Sequence, residues 1–487
     1  MKQEQQTPAI QVKPFGIKDK VGYMFGDCGN DLTFILASFV LLKFYTDVMG
    51  VSSALVGTMM MVVKILDAFT DVTMGQIVDR SKPTAKGKFS PWIKRMAGPV
   101  ALASFLMYAS WFANMPMWFK VIWMFVTYAL WTSVCYTGVN IPYGSMASAI
   151  SQDPKDRASL STWRSAGAGV AAGLVSVVLP VVIYYTDDAG NKVLSASRVT
   201  IVAAICSVLA VGAYMLCYNL TTERFVVPQK TEKFDLKALV KGWVSNRALL
   251  GIILSTFFML ISQNVTSGLS SYIFPNYFRN PAAQSIATIV AAVPMFFLAP
   301  FMTKLSIKVG RKRLGIIGFS IGTIFFLLAY FLKVTNVWIF VVLYGLGYTG
   351  VFVIGLICWA MITDVIDDME VQTGIREDGN VYSVYSFSRK MGQALGTGIC
   401  GWTLSAIGYT QATQFDPDVT LGIYNATCLL PAISFGLSLL FLIWLYPLTR
   451  ERVEENARIL AERREQAAEA EPILEEVVTE VTKGEDE

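Results

Sequence analysis

Runs of about 20 or more mostly apolar residues recur some twelve times along this 487-residue chain, and no other feature limits the fold as much. Lipid offers no hydrogen-bond partner to a bare peptide group. A run that crosses a bilayer must therefore close its backbone bonds within itself, as a helix does. The runs fall at 21–47, 51–78, 96–115, 118–149, 159–185 and 197–220, then at 247–277, 283–307, 313–333, 336–366, 381–408 and 420–447. They predict an all-α polytopic membrane protein with twelve transmembrane helices in two six-helix halves, 21–220 and 247–449. An N-terminal segment (1–20), a connector (221–246) and a charged tail (450–487) make up the rest.

Composition narrows the function classes. Only 16% of the residues are charged, against ~25% in ordinary globular chains. Of the last 38 residues, 13 are acidic and 6 basic, so the remainder is poorer still in charge. A soluble enzyme with a hydrated surface is excluded. Histidine is absent, which removes His-ligated metals, Ser-His-Asp or Cys-His catalysis and imidazole proton relays. The seven cysteines lie in or beside apolar runs without a CxxC pair, and read as small core residues. No basic block interleaved with aromatics points to nucleic acid. Residues 1–20 lack the apolar core of a signal peptide, so the first span directs insertion. The helix-forming, mixed-charge stretch Arg450 to Gln466 reads as a solvated helix that frays into an acidic end.

Basic residues gather in alternate loops. Arg80, Lys82, Lys86, Lys88, Lys94 and Arg95 follow the second run; Arg224, Lys230, Lys233, Lys237, Lys241 and Arg247 accompany the connector; Lys308, Arg311, Lys312 and Arg313 follow the eighth. By the positive-inside rule these loops and both termini are cytoplasmic, in a plasma or inner membrane. A weak internal repeat supports the division into halves. Gly75-Gln-Ile-Val-Asp79-Arg80 and Lys308-Val-Gly310-Arg311-Lys312-Arg313 close equivalent runs, as Trp163-Arg164 and Arg389-Lys390, each followed by small residues, open equivalent ones. Two such halves typify the major-facilitator architecture.

Ionisable residues inside apolar runs are costly, and so are candidates for function. Lys64, Asp67 and Asp71 share one helical face at offsets of three, four and seven. The two carboxylates suit Na⁺ or a proton; the alternative is a salt-bridge ladder that only positions the helix. Asp27 reads as a solvated acid near the start of its helix, while Asp31 lies deeper as a binding candidate. Asn140-Ile-Pro142-Tyr143-Gly144 places a breaker and an amide in the fourth run, either interrupting the helix at a site or kinking it. Arg164, Arg389 and Lys390 are the buried-run cations. Tyr143 and Tyr385 belong to a set of aromatics offering the flat faces that sugars need.

These residues resemble a known family. Tyr45-Thr-Asp47-Val, Asp67-Ala-Phe-Thr-Asp71, Lys86-Gly-Lys-Phe-Ser-Pro-Trp92, Asn140-Ile-Pro-Tyr-Gly-Ser145 and Tyr382-Ser-Val-Tyr-Ser-Phe-Ser-Arg-Lys390 look, in this order, like the glycoside–pentoside–hexuronide:cation symporters. The resemblance implies a melibiose-permease-like, major-facilitator sugar carrier that works as a monomer in lipid and needs no cofactor beyond its coupling ion, Na⁺ or H⁺. It implies that Asp67 and Asp71 hold the cation with Thr70 and Thr137 nearby. Asp31, Asn140 and Arg164 would meet sugar hydroxyls, with Ser386 and Lys390 approaching from the second half. Where melibiose carriers have an aspartate and a tryptophan, this chain has Asn140 and Gly144, and Arg389 is extra. Those departures are similar to the glucuronide and xyloside branches, and a pocket gaining Arg389 while losing an acid favours an anionic sugar. The alternatives are a sugar sensor, for which the tail is too small an output domain, and a membrane enzyme, for which only Asp364, Asp367, Asp368 and Glu370 stand at a membrane face.

Overall fold

A computed structural model describes residues 14–84, 86–225, 246–376 and 378–466. Lys230, Lys233, Lys237 and Lys241 of the connector, most of the N-terminal segment and the end of the tail lie outside the described residues. Twelve long helices follow in chain order: α1 Ile17–Asp47, α2 Ser53–Arg80, α3 Ser90–Leu106, α4 Met117–Ile150, α5 Pro154–Val182 and α6 Ala196–Leu220. After the connector come α7 Arg247–Tyr277, α8 Ala282–Val309, α9 Arg311–Leu332, α10 Val337–Thr373, α11 Asp378–Ala406 and α12 Pro417–Trp444. Ten have an apolar stretch long enough to cross a membrane. The other two are α3, with 17 residues, and α11, rich in serine and tyrosine along its first turns. A two-stranded hairpin, Tyr184–Thr186 with Lys192–Leu194, joins α5 to α6.

Packing reproduces itself between the halves. α1 lies on α5 and α6 as α7 lies on α11 and α12. The pairs α3–α6 and α2–α4 match α9–α12 and α8–α10, and the bundles meet where α2 crosses α11 and α5 crosses α8. Glycine sets the α2–α11 crossing. A Cβ on Gly57 would lie 2.8 Å from the Gly401 Cα, and one on Gly398 2.9 Å from the Met61 Sδ.

The structure corrects four expectations. The third helix begins at Ser90, so Lys94 and Arg95 belong to a helix and not to the basic loop. The reason is a distant cap: the Glu223 carboxylate, just beyond α6, accepts from the backbone N–H groups of Lys88 (2.7 Å), Phe89 (3.0 Å) and Ser90 (2.6 Å). α4 is not interrupted at Asn140; it widens into a π-turn over Leu130–Tyr136 and continues as α-helix through Pro142. Asp27 is not at a helix start, because α1 begins ten residues earlier, and the carboxylate is buried. The tail is not free over residues 450–466. This helix, α13, docks on the terminus-bearing ends of its own bundle's helices: Arg452 Nε and Asn456 Nδ2 donate to Asp368 Oδ1 (3.0 and 2.9 Å), and Arg450 Nη1 to the Lys308 carbonyl (2.9 Å).

Candidate substrate and cation site

The face of α2 that carries Lys64, Asp67 and Asp71 turns toward the other bundle. From α11, the Lys390 ammonium is paired with Asp71 and stands 3.8 Å from Asp67 Oδ2. From α4, Thr137 Oγ1 lies 2.9 Å from Asp67 Oδ1 and 2.9 Å from Asp71 Oδ1, and 3.0 Å from the Thr132 carbonyl. A hydroxyl has one proton, so it serves one of these three acceptors at a time. The π-turn brings Thr132 and Thr137, five residues apart, to the same place. Lys64 Nζ donates across the interface to Thr397 Oγ1 on α11 (3.1 Å). Among the described residues no group of three acidic or cysteine side chains is placed to hold a metal ion. Two carboxylates that already share an ammonium, with a hydroxyl and a carbonyl beside them, suit a monovalent cation better than a divalent one.

Lys64, Asp67, Asp71, Thr132 and Lys390 line a cavity of about 210 Å³, with Asn140 and Gln393 also on its wall. A second cavity, about 340 Å³, adjoins it through Phe34 and Gln393 and is lined by both bundles. Its size falls in the ~300–1,000 Å³ range of small-molecule sites. Its polar groups come mainly from Gln263, Asn264 and Ser267 on α7 and Tyr344 and Tyr348 on α10.

Five predicted residues thus meet: Asp67, Asp71, Thr137, Asn140 and Lys390. Arg164 and Asp31 lie beside them in a second group. Arg164 Nε donates to Asp27 Oδ1 (3.1 Å), and Asp31 sits one turn along α1 from Asp27. Gly167 permits this approach, since a Cβ there would lie 2.2 Å from the Met24 carbonyl oxygen. The two groups touch through Asn30, whose Nδ2 donates to Asn140 Oδ1 (3.4 Å).

The remaining candidates are placed otherwise. The Thr70 hydroxyl donates to the Asp67 carbonyl (3.1 Å) and does not reach the carboxylates. Tyr143 is fully buried, stacked on Tyr23 (4.5 Å between centroids) beneath the Arg164 guanidinium, and its hydroxyl donates to the Tyr23 carbonyl (2.7 Å). Tyr385 is buried against Trp359 (5.2 Å). Arg389 lies over the Trp359 and Tyr385 rings (5.5 and 5.8 Å), turned toward α10 and not to the cluster. Ser386 is exposed one turn before Lys390. Gln393, Thr397, Thr132, Gln263 and Asn264 were not anticipated. Gln393 and Thr397 follow Lys390 at helical spacing and were the findable ones; the α7 amides are uncharged and carry no such signal.

At the end remote from the termini the bundles close on a buried polar knot. Lys43 Nζ reaches Asp47 Oδ2 (2.8 Å), Asn276 Oδ1 (3.0 Å) and the Tyr409 hydroxyl (3.0 Å), and lies 4.4 Å from the Tyr272 ring centroid. Tyr409 donates to Asp47 Oδ1 (2.9 Å). At the terminus-bearing end the acids of α10 are all committed. Asp364 pairs with Arg311, Asp367 and Glu370 with Arg376 (2.9 and 2.7 Å), and Asp368 with Arg452. They form a network of ion pairs at this end of the C-terminal bundle.

The family described as MFS/sugar transport protein matches residues 22–450. A glucuronide carrier protein homolog of Escherichia coli (strain K12) is 33% identical over 451 residues, covering 89% of this chain and 93% of that protein. An isoprimeverose transporter of Lactiplantibacillus pentosus is 29% identical over 454 residues, covering 90% and 92%. Among solved structures, tetrameric PepTSo2 is similar with a TM-score of 0.62 at 14% identity, covering 90% of this chain and 99% of that one, a likeness of fold alone.

Proposed function

The chain belongs to the MFS/sugar transport protein family, among the glycoside–pentoside–hexuronide:cation symporters, and from that premise we propose that it imports a sugar or glycoside together with Na⁺ or H⁺ by alternating access. One observation carries the reading: two carboxylates of one bundle share an ammonium of the other, beside a cavity of sugar size lined by both. Before the ion binds, the Lys390 ammonium pairs with Asp71 and lies beside Asp67. When the coupling ion takes the carboxylates with Thr137, the ammonium is released toward the cavity, where sugar oxygens accept it. Ion without sugar leaves an unpaired ammonium; sugar without ion finds the ammonium engaged. Each ligand therefore tightens the other, and the coupling is reciprocal.

The excess of lysine and arginine in alternate loops supports cytoplasmic termini. The Lys43 knot then seals the outer end, and the cavities belong to an inward-facing carrier. A single chain supplies both walls, which supports function as a monomer. The charge argument for an anionic sugar rests on Arg389 together with the acid replaced by Asn140, and the Arg389 guanidinium lies over the Trp359 ring of α10. The case for a hexuronide over a pentoside then rests on likeness to relatives.

The test is uptake into proteoliposomes of methyl β-D-glucuronide and methyl β-D-xyloside, with and without a Na⁺ gradient and at two external pH values. Accumulation of one sugar driven by one of the gradients is expected. Binding without uptake under every condition would replace the symporter by a sensor of the same fold.

A further inference from the structure

The symport reading leaves the α7 amides Gln263 and Asn264, on the wall of the larger cavity, without a task. Gln263, Asn264 and Ser267 of α7 face the larger cavity, whose other walls include Phe34, Ile35 and Phe352. Asn264 Nδ2 donates to the Leu260 carbonyl (2.9 Å), which leaves its Oδ1 to the cavity. The side-chain amides of Gln263 and Gln393 bond no other described residue. Half-buried amides in an apolar wall are costly unless something pairs with them.

Backbone packing fixes where these amides stand. A Cβ on Gly392 would lie 2.8 Å from the Phe257 carbonyl oxygen, and one on Gly396 2.8 Å from the Asn264 Cβ. The two glycines seat α11 directly on α7. Gln393 follows Gly392 by about 100° of helical turn, which brings it to the flank of that seat, beside Asn264 and facing both cavities. Its position relative to Lys390 is set by one turn of the same helix.

We propose that Gln263, Asn264 and Gln393 form an amide clamp that holds adjacent hydroxyls of the transported sugar from the C-terminal bundle, with Gln393 joining the sugar site to the cation site. The proposal rests on the sugar-symport reading. The chemistry is direct: a primary amide presents an acceptor and donors side by side, and so do two neighbouring ring hydroxyls. The clamp also gives the second bundle its own hold on the sugar, as a substrate bound between two rocking bodies requires.

The test is equilibrium binding to the full chain in nanodiscs, using methyl β-D-xyloside, methyl β-D-glucuronide and the 2-, 3- and 4-deoxy forms of each. For the sugar that binds, Gln393→Leu and Asn264→Leu are each expected to weaken the parent about tenfold, while one deoxy analogue binds variant and wild type within about twofold. The unfolding midpoint in detergent reports whether a variant is folded; Gln393→Ala, which adds no bulk, replaces Leu if it is not. Equal losses for the parent and every deoxy analogue, or no loss at all, would overturn the clamp. Wild-type protein that binds neither parent sugar would overturn the symport reading and the clamp with it.

Discussion

Lys43 and Asp47 have side chains 2% and 3% exposed, while Lys390 and Asp71 are 31% and 17% exposed, although both pairs lie where the two bundles meet. The first pair is made within one helix, at a spacing of four residues, and its further partners Asn276 and Tyr409 come from the other bundle. If the bundles separate at that end, lysine and aspartate travel together and neither charge is left bare. The second pair spans the bundles, so its partners part whenever α2 and α11 do. Burying an ion pair is tolerable when the charges stay matched, and removing one partner is expensive. An intrahelical pair can therefore be part of a gate, whereas a pair divided between moving bodies needs a substitute charge, which is what a coupling ion supplies.

The largest effect should come from the divided pair. Asp71→Asn is expected to abolish accumulation of sugar against its gradient while leaving the protein folded, measured as uptake and as unfolding midpoint. Retained accumulation would break the comparison at its first term. At the sealed end, Lys43→Met leaves Asp47 buried without its ammonium and should cost about 3–5 kcal/mol. The readout is a lower unfolding midpoint together with faster labelling of a cysteine placed at Ser52. The double variant Lys43→Met/Asp47→Leu should recover most of both; failure to recover would mean that the pair is more than self-neutralising. The smallest change is expected for Arg389→Gln, since a cation–π contact of this kind is worth about 0.5–1 kcal/mol. Xyloside and glucuronide uptake should fall together and slightly. Selective loss of glucuronide uptake would return Arg389 to the sugar site.

How much was legible depended on the kind of residue. Asp67, Asp71 and Lys390 stood out because a charge in an apolar run has few reasons to be there. Arg389 stood out for the same reason, yet adjacent helical residues point about 100° apart, and only packing against α10 told the two cations apart. Tyr143 and Tyr385 have the composition of sugar-stacking residues but fill the interior, a choice made by neighbours such as Gly26, where a Cβ would lie 2.2 Å from the Tyr143 ring. Asn264 and Gln263 gave no signal at all, because an uncharged amide in a membrane helix is as often a packing residue as a ligand.

The sequence by itself pointed to an all-α membrane chain, to the order of its apolar runs and to Asp67, Asp71 and Lys390 as charges within them, but not to Lys43. Those follow from local rules: the length needed to cross lipid, the lack of backbone partners there, and the cost of an ion in an apolar run. Tertiary structure alone decided which charges meet. The cap on α3 comes from Glu223, the partner of Asp71 from the other bundle, and the docking of α13 from Asp368, each more than eighty positions away in the chain. Side-chain direction and helix crossing are set by contacts between distant segments, and glycines such as Gly57 and Gly396 reveal their purpose only when the opposing helix is in place.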